Sequence, residues 1–415
     1  MKRLIQFLDT ETNEVLSRLR EYGEAWVVGG WLRDMIIEGN PKGDEMDIDI
    51  ATTLMPGRVK EIFPKSISIG ENFGTIGVRL ESSANRIWEV TTLRTEQDYS
   101  DGRRPDDVDF GVTIIEDLAR RDFTINAMAL DKIGEIIDPY DGQKDIMDSI
   151  IRAVGNPSER IQEDGLRILR AFRFMSTGKG EIRKLDVSLG NSIIEHLDAL
   201  ENISKERIGS EFLKILSGNY INEIITSMKE HGIFDTILPE INIKNSYNFT
   251  NNRIVNLALI CSDTNIDGMG LSHYLMDKLR ISKDDARTIS ILHNCRDIEL
   301  DSSIESVRRF LVFHDKGTGM MIIEYLKSLN MDLEQFISGI SSIDSPNIIK
   351  PLADGNLLSE ITGLEPSKRL GKLKDWLFRK QIEGDIKEID SLLQVLNEID
   401  WKGSNPEYWE GMEWP

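Results

Sequence analysis

Two short stretches of this chain set glycines and carboxylates where they can act on phosphates. In "VVGGWLRDM", Gly29 and Gly30 close an apolar strand-like run and open a helix-like one. That junction leaves backbone N–H groups free to face an anion. Arg33, one turn further on, adds a positive charge toward the same phosphate. In "MDIDIAT", carboxylates alternate with isoleucines, so Asp47 and Asp49 point to one side of a strand. Two carboxylates held that close repel unless a cation lies between them. Mg²⁺, with carboxylate and phosphate oxygens as ligands, fits such a pair. Glu89 in "WEVTTLR" offers a third carboxylate from a later strand. The alternative is a solvated edge strand with a glycine turn, and for Glu89 a solvent-facing strand position.

A third stretch, "QEDGLRILRAFRF" (residues 162–174), has helical periodicity. Asp164 and Arg167 sit three residues apart and would share a helix face. They form either a surface ion pair or a pair that faces a ligand. Arg170 and Arg173 continue the spacing, toward a triphosphate or as snorkelling cover for an apolar helix. "LARRDFTINAMAL" sets Arg120, Arg121 and Asp122 at the mouth of what reads as an apolar helix. "DGRRPDDVDF" has charges of both signs and little apolar content, as a loop beside a site would.

The elements that must position these residues change character near residue 150. Before it, "AWVVGG" predicts a strand, "WLRDMIIEG" a helix, and "TIGVRLES" with "RIWEVTTLR" two strands of a hairpin. After it, helical periodicity dominates to the end. The pattern is an α+β head followed by an all-helical body. At 415 residues the chain exceeds what one core usually organises.

Composition narrows the class. Hydrophobic residues make up 40% and charged residues 29%, as in a globular protein, and no apolar run reaches the length of a membrane span. The opening "MKRLIQFLDTETNEV" turns acidic too early for a signal peptide. Cys261 and Cys295 have neither metal-ligand nor redox spacing, so a reducing, cytoplasmic setting is expected. The net charge of −21 argues against nucleic acid unless basic patches are local. One such patch is "SKRLGKLKDWLFRK", which gathers Lys368, Arg369, Lys372, Lys374, Arg379 and Lys380 against a single acid, Asp375.

The ordered motifs "GGWLRD", "DIDIAT", "EVTTLR", "RRDFTINAMA", "IDPYDGQKDI" and "IIRAVGNPSERIQEDGLRILRAFRF" resemble those of class II tRNA nucleotidyltransferases. That family includes CCA-adding enzymes, CC- and A-adding specialists, and bacterial poly(A) polymerases. The match is strong over roughly residues 25 to 175. The resemblance implies a head related to DNA polymerase beta, with a small mixed sheet, over residues 1–150. A helical neck (151–220), body (221–345) and tail (346–415) would follow. It implies metal-binding carboxylates at Asp47 and Asp49 with Glu89 as partner, and two Mg²⁺ ions acting on the RNA 3′-hydroxyl and the pyrophosphate. Ribose contact falls on Arg121 and Asp122, and a protein template for the incoming base on Glu163, Asp164 and Arg167.

The template makes chemical sense. Cytosine and adenine both present an amino donor beside a ring-nitrogen acceptor, which a carboxylate and a guanidinium match. Uracil and guanine present the reverse order. The implied partners are CTP, ATP and tRNA, the last gripped by the basic tail segment. The full-length loop around "TEQDYSDGRRP" favours CCA or A addition over CC addition. Competing readings are A-only addition, poly(A) synthesis, a non-catalytic RNA-binding protein, and transfer to a small molecule. Two departures stand out: the bulky Trp31 in the glycine motif, and Gly165 inside the expected template helix, where it costs about 1 kcal/mol relative to alanine. With five scattered histidines and a single His-Asp pair, His314–Asp315, too few for a metal centre, the phosphohydrolase activity of some relatives is not expected.

Overall fold

The computed structural model describes residues 4–39, 48–83, 86–97, 107–178, 180–343 and 350–414. The chain divides into two compact units: Met1–Asn245 with Asp277–Ile281, and Ser246–Met276 with Ser282–Pro415.

Among its described residues the first unit carries eleven short strands: β1 (Ala25–Val28), β2 (Asp49–Thr52), β3 (Ile67–Gly70), β4 (Thr75–Val78), β5 (Trp88–Thr92), β6 (Arg94–Gln97), β7 (Asp107–Phe110), β8 (Ala129–Leu130), β9 (Ile136–Ile137), and the separate parallel pair β10 (Ile150–Ile151) and β11 (Lys184–Leu185). Seven form one sheet in the order β3-β4-β5-β2-β1-β8-β9. β6 and β7 pair separately. β2 and β5 run parallel and the other neighbours antiparallel, so the sheet is mixed as expected.

Register decides which residues meet. Val28 pairs with Asp49, Asp49 with Glu89, Glu89 with Gly77, and Gly77 with Ile67, a single row across five strands. Side chains alternate along each strand, so the neighbouring residues face the other way. Ile50, Val90 and Ile76 do so and are fully buried. On that core face Trp88 donates its indole N–H to Thr12 Oγ1 (3.0 Å) of helix α1 (Thr10–Arg20). The alternation in "MDIDIAT" is therefore a division between core and site.

Eight further helices complete the frame of the site: α2 (Gly30–Glu38), α3 (Pro56–Ile62), α4 (Ile114–Ala119), α5 (Gly142–Met147), α6 (Pro157–Glu163), α7 (Leu166–Met175), α8 (Val187–Glu195) and α9 (Lys205–Ile215). Two expectations are corrected. "DFTINAMAL" is no helix: Thr124–Asn126 is one 3-10 turn and Ala129–Leu130 is β8. Its residues Ile125, Ala127, Met128, Ala129 and Leu130 are all buried, and periodicity cannot separate a short buried strand from a helix. Nor is 162–174 one helix. It breaks at Asp164, whose backbone is extended (φ −148°, ψ 102°), and Gly165 then caps α7.

Among its described residues the second unit has helices as its only regular elements. Leu370, Leu373, Trp376, Leu377, Leu392, Leu396 and Trp409 form a core around the helix Lys368–Glu383. Glu383, at its end, accepts from Arg379 Nε (2.7 Å) and Lys380 Nζ (3.0 Å) and pairs with Arg309 of the helix Ile304–Phe313. Burial works to raise the Glu383 carboxyl, but these cations outweigh it and hold it at about 2. The shift is downward, so its contribution to stability is complete above the ordinary value of 4.5 and fades as pH falls toward 2. Glu383→Gln should be less stable than wild type in urea at pH 7, with the two stabilities converging as pH drops through that window. A constant difference at every pH would contradict the pairing.

Candidate functional site

The N-terminus of α2, the start of β2, β5, the end of α4 and the α6–α7 break border one cavity of about 560 Å³. Seven arginines line it (Arg33, Arg120, Arg121, Arg167, Arg170, Arg173 and Arg207) with four carboxylates (Asp49, Glu89, Asp122 and Asp164). Gly29 and Gly30 line it as well. Residues far apart in sequence thus meet at one cavity. Asp47 lies outside the described residues, as do residues 101–106 of the segment read as a charged loop, whose last four residues, Asp107–Phe110, form strand β7 instead.

Gly29 is fixed by two constraints. Its φ is +76°, which side chains disfavour, and a Cβ there would sit 2.8 Å from Asp49 Oδ2. The glycine lets the backbone ahead of α2 approach that carboxylate. Trp31 is buried at 3% exposure, so its bulk points into the core rather than the cavity. Arg33 is held by Asp34 (2.8 Å) and Asn126 Oδ1 (2.6 Å), with its guanidinium 5.0 Å above the Phe174 ring.

Asp49 and Glu89, partners on adjacent parallel strands, present carboxylates from the same face to the same cavity. This all-oxygen donor set suits a hard divalent cation. Among the described residues no group of three or more metal-ligating side chains forms.

Beyond them, Arg121 pairs with Asp117 Oδ2 (3.4 Å). Asp122 accepts from Arg170 Nε (2.8 Å), Asn126 Nδ2 (3.0 Å) and the Phe123 N–H (2.8 Å). Burial pushes the Asp122 carboxyl upward, yet Arg170, Asn126 and Arg167 prevail and hold it at about 2. Asp122 is ionised at any physiological pH. Arg173 pairs with Glu211 of α9 (2.8 Å).

Asp164 and Arg167 both line the cavity, and of the two relations their spacing allowed they do not form the mutual ion pair. Because the chain is extended at Asp164, its Oδ1 accepts from the Leu166 N–H (3.0 Å) and its Oδ2 from Arg207 (2.7 Å). Arg167 binds Glu163 and donates to the carbonyls of Arg160 (2.7 Å) and Arg120 (3.2 Å). Glu163 itself stands behind Arg167. Arg207 escaped the sequence reading because it lies 43 positions from Asp164, on α9, with no local pattern to mark it. Asn126 escaped because its segment was read as a helix.

The basic segment is a helix, as expected, but its cations are largely engaged. Arg369 donates to the carbonyls of Trp401 (2.7 Å) and Lys402 (2.9 Å) and stacks on Trp409. Arg379 and Lys380 bind Glu383. Lys368 (2.9 Å) and Lys372 (3.7 Å) share Glu407, and Lys374 is partly exposed. Arg369 and Arg379 are the most enclosed of the set; Lys368, Lys372, Lys374 and Lys380 keep partly exposed side chains.

Comparison with known proteins agrees with this geometry. A family model described as "Poly A polymerase head domain" matches residues 25–152, and "Probable RNA and SrmB- binding site of polymerase A" matches residues 185–244. A CCA-adding enzyme of Lactococcus lactis subsp. lactis is 32% identical over 395 residues, covering 91% of this chain and 94% of its own. One from Enterococcus faecalis is 44% identical over 209 residues, half of this chain and 49% of its own. The crystal structure of the Bacillus stearothermophilus CCA-adding enzyme in complex with CTP superposes with a TM-score of 0.79 at 26% identity, covering 96% of this chain and 98% of that one. A Thermotoga maritima CCA-adding enzyme complexed with tRNA shares the fold, with a TM-score of 0.63 at 20% identity over 96% of this chain and 98% of that one.

Gly165 tests the break itself. A Cβ there would lie 2.4 Å from the Ala199 carbonyl oxygen, so backbone crowding fixes the glycine. Gly165→Ala should destabilise the protein by about 1–3 kcal/mol in urea. Gly371→Ala, where a Cβ meets open space within a helix, should not destabilise it. Equal effects at the two positions would refute the crowding.

Proposed function

This chain belongs to the CCA-adding enzyme family, and we infer that it adds C, C and A to the 3′ end of tRNA from CTP and ATP without a nucleic-acid template. One observation carries the reading. A single cavity joins the Asp49–Glu89 carboxylates to Asp164 and Arg167, amid an excess of arginines over carboxylates. It is a site for a polyanion with a base to be read.

Nucleotidyltransferases of this family generally need divalent metal ions. Asp47, Asp49 and Glu89 would hold Mg²⁺. When bound, it supplies Lewis-acid activation of the RNA 3′-hydroxyl and charge neutralisation at the departing pyrophosphate. The chain's own groups do the rest. The backbone at Gly29 and Gly30, with Arg33, Arg170 and Arg173, faces the triphosphate. Arg121 and Asp122 take the ribose.

Base choice falls to Asp164 and Arg167, each already anchored and each with hydrogen-bonding capacity to spare. A carboxylate offers about four acceptor sites and a guanidinium five donors. Asp164 accepts from the amino group of C or A, and Arg167 donates to the ring nitrogen. U or G meets both groups mismatched, at about 1–3 kcal/mol for each unmatched contact. The head, neck, body and tail divide the work, with tRNA phosphates held at Lys368, Lys372 and Lys374 of the tail. The setting is the cytoplasm, where tRNA ends are built and repaired.

Incubation with tRNA transcripts lacking CCA, CA or A, with single nucleotides, tests the whole. CTP should extend the first two and ATP only the third, with no UTP or GTP incorporation and a stop after one A. Activity on the third transcript alone would mean A addition, and long A tails would mean poly(A) synthesis. No incorporation on any transcript would contradict the reading.

A further inference from the structure

The face of the sheet that carries Asp49 and Glu89 does not end at the cavity wall. Across β5 and β4 the register row continues from Glu89 to Gly77 and from Gly77 to Ile67. The Thr75–Thr91 side-chain hydrogen bond (3.0 Å) ties β4 to β5 at a neighbouring position, and Thr91 itself lines the cavity. Gly77 has no side chain, and two isoleucines fold over the space. A Cβ on Gly77 would meet Ile69 at 2.6 Å and Ile67 at 2.8 Å. Both isoleucines are nonetheless open to solvent, at 36% and 48% exposure. On the opposite face of the same strands every large apolar side chain from β4 and β5 is buried. An apolar shelf therefore adjoins the carboxylates on the one face that chemistry, rather than the core, requires to be open.

Its distance is informative. Strands lie about 4.8 Å apart, so Ile67 stands roughly 10 Å from Glu89 along the row. Stacked nucleotides rise about 3.4 Å each. A strand whose 3′-hydroxyl reaches the carboxylates lays its two or three preceding nucleotides across the shelf. Arg79 follows Gly77 by two residues, between buried Val78 and Leu80. Among the described residues it makes no ion pair, and its Nε has no hydrogen-bond partner.

We propose that Ile67 and Ile69 form the stacking surface for the nucleotides just 5′ of the reacting end of the acceptor RNA, with Arg79 at their backbone phosphate. This rests on the transferase reading above. Pairing of a second chain along the free edge of β3 is the other use of such a surface. The strand is only four residues long and its register shifts between Ser68 and Gly70, both of which discourage edge pairing.

The test is steady-state transfer to tRNA ending in CC by the full chain. The double variant Ile67→Ser/Ile69→Ser should raise KM for tRNA at least tenfold, with KM for ATP and kcat within twofold of wild type. Ile67→Phe/Ile69→Phe, which keeps a stacking face, should restore KM for tRNA. Arg79→Gln should reduce the salt slope of tRNA binding by about one. An unchanged KM for tRNA in the serine variant, a parallel rise in both KM values, or a dimer lost in that variant on gel filtration would each overturn the shelf alone. A wild-type chain inactive on every acceptor would overturn the transferase reading, and the shelf with it.

Discussion

Seven guanidiniums around one cavity repel one another, and the site exists because carboxylates hold every one of them. Arg33 has Asp34, Arg120 and Arg121 share Asp117, Arg167 has Glu163, Arg170 has Asp122, Arg173 has Glu211, and Arg207 has Asp164. Only Asp122 and Asp164 of these carboxylates also line the cavity. Asp34, Asp117, Glu163 and Glu211 stand behind, on α2, α4, α6 and α9. A cation half-withdrawn from water without a partner is costly, so the position of each arginine is inherited from the helix that supplies its acid. The helical frame around the sheet is thus part of the site.

The same arrangement resolves the conflict between an acidic chain and an anionic substrate. A net charge of −21 describes the whole surface, whereas a ligand meets the local field. In the cavity, arginines outnumber the carboxylates that face it. On the Lys368–Glu383 helix most of the apparent basic patch is consumed internally, by Glu383, Glu407 and backbone carbonyls. Counting charges along the sequence overstates that patch and understates the cavity.

Much of the head was legible in the sequence because its signals are local. The alternation in "MDIDIAT" separated Ile50 from Asp49, and the double glycine marked the strand-to-helix junction that Asp49 approaches. Two things were not legible, for different reasons. A short run buried on all sides, such as "TINAMAL", has no periodicity to distinguish strand from helix. The pairing of Asp164 with Arg207 rather than Arg167 depends on one extended residue and on a carbonyl of Ala199 crowding Gly165. Neither is written near residue 164. Of the two relations the spacing left open, a mutual ion pair is absent, and both residues line the cavity.

The central claim is that Asp164 and Arg167, anchored separately, read the base of the incoming nucleotide by donor–acceptor order. It is tested most directly by measuring kcat/KM for CTP and for UTP with Arg167→Ala on tRNA ending before CCA, alongside tRNA affinity. The preference for CTP should fall by roughly tenfold to a hundredfold, corresponding to about 1–3 kcal/mol for one mismatched polar contact, with tRNA affinity unchanged. A variant slower on both nucleotides but as selective as wild type would contradict the claim.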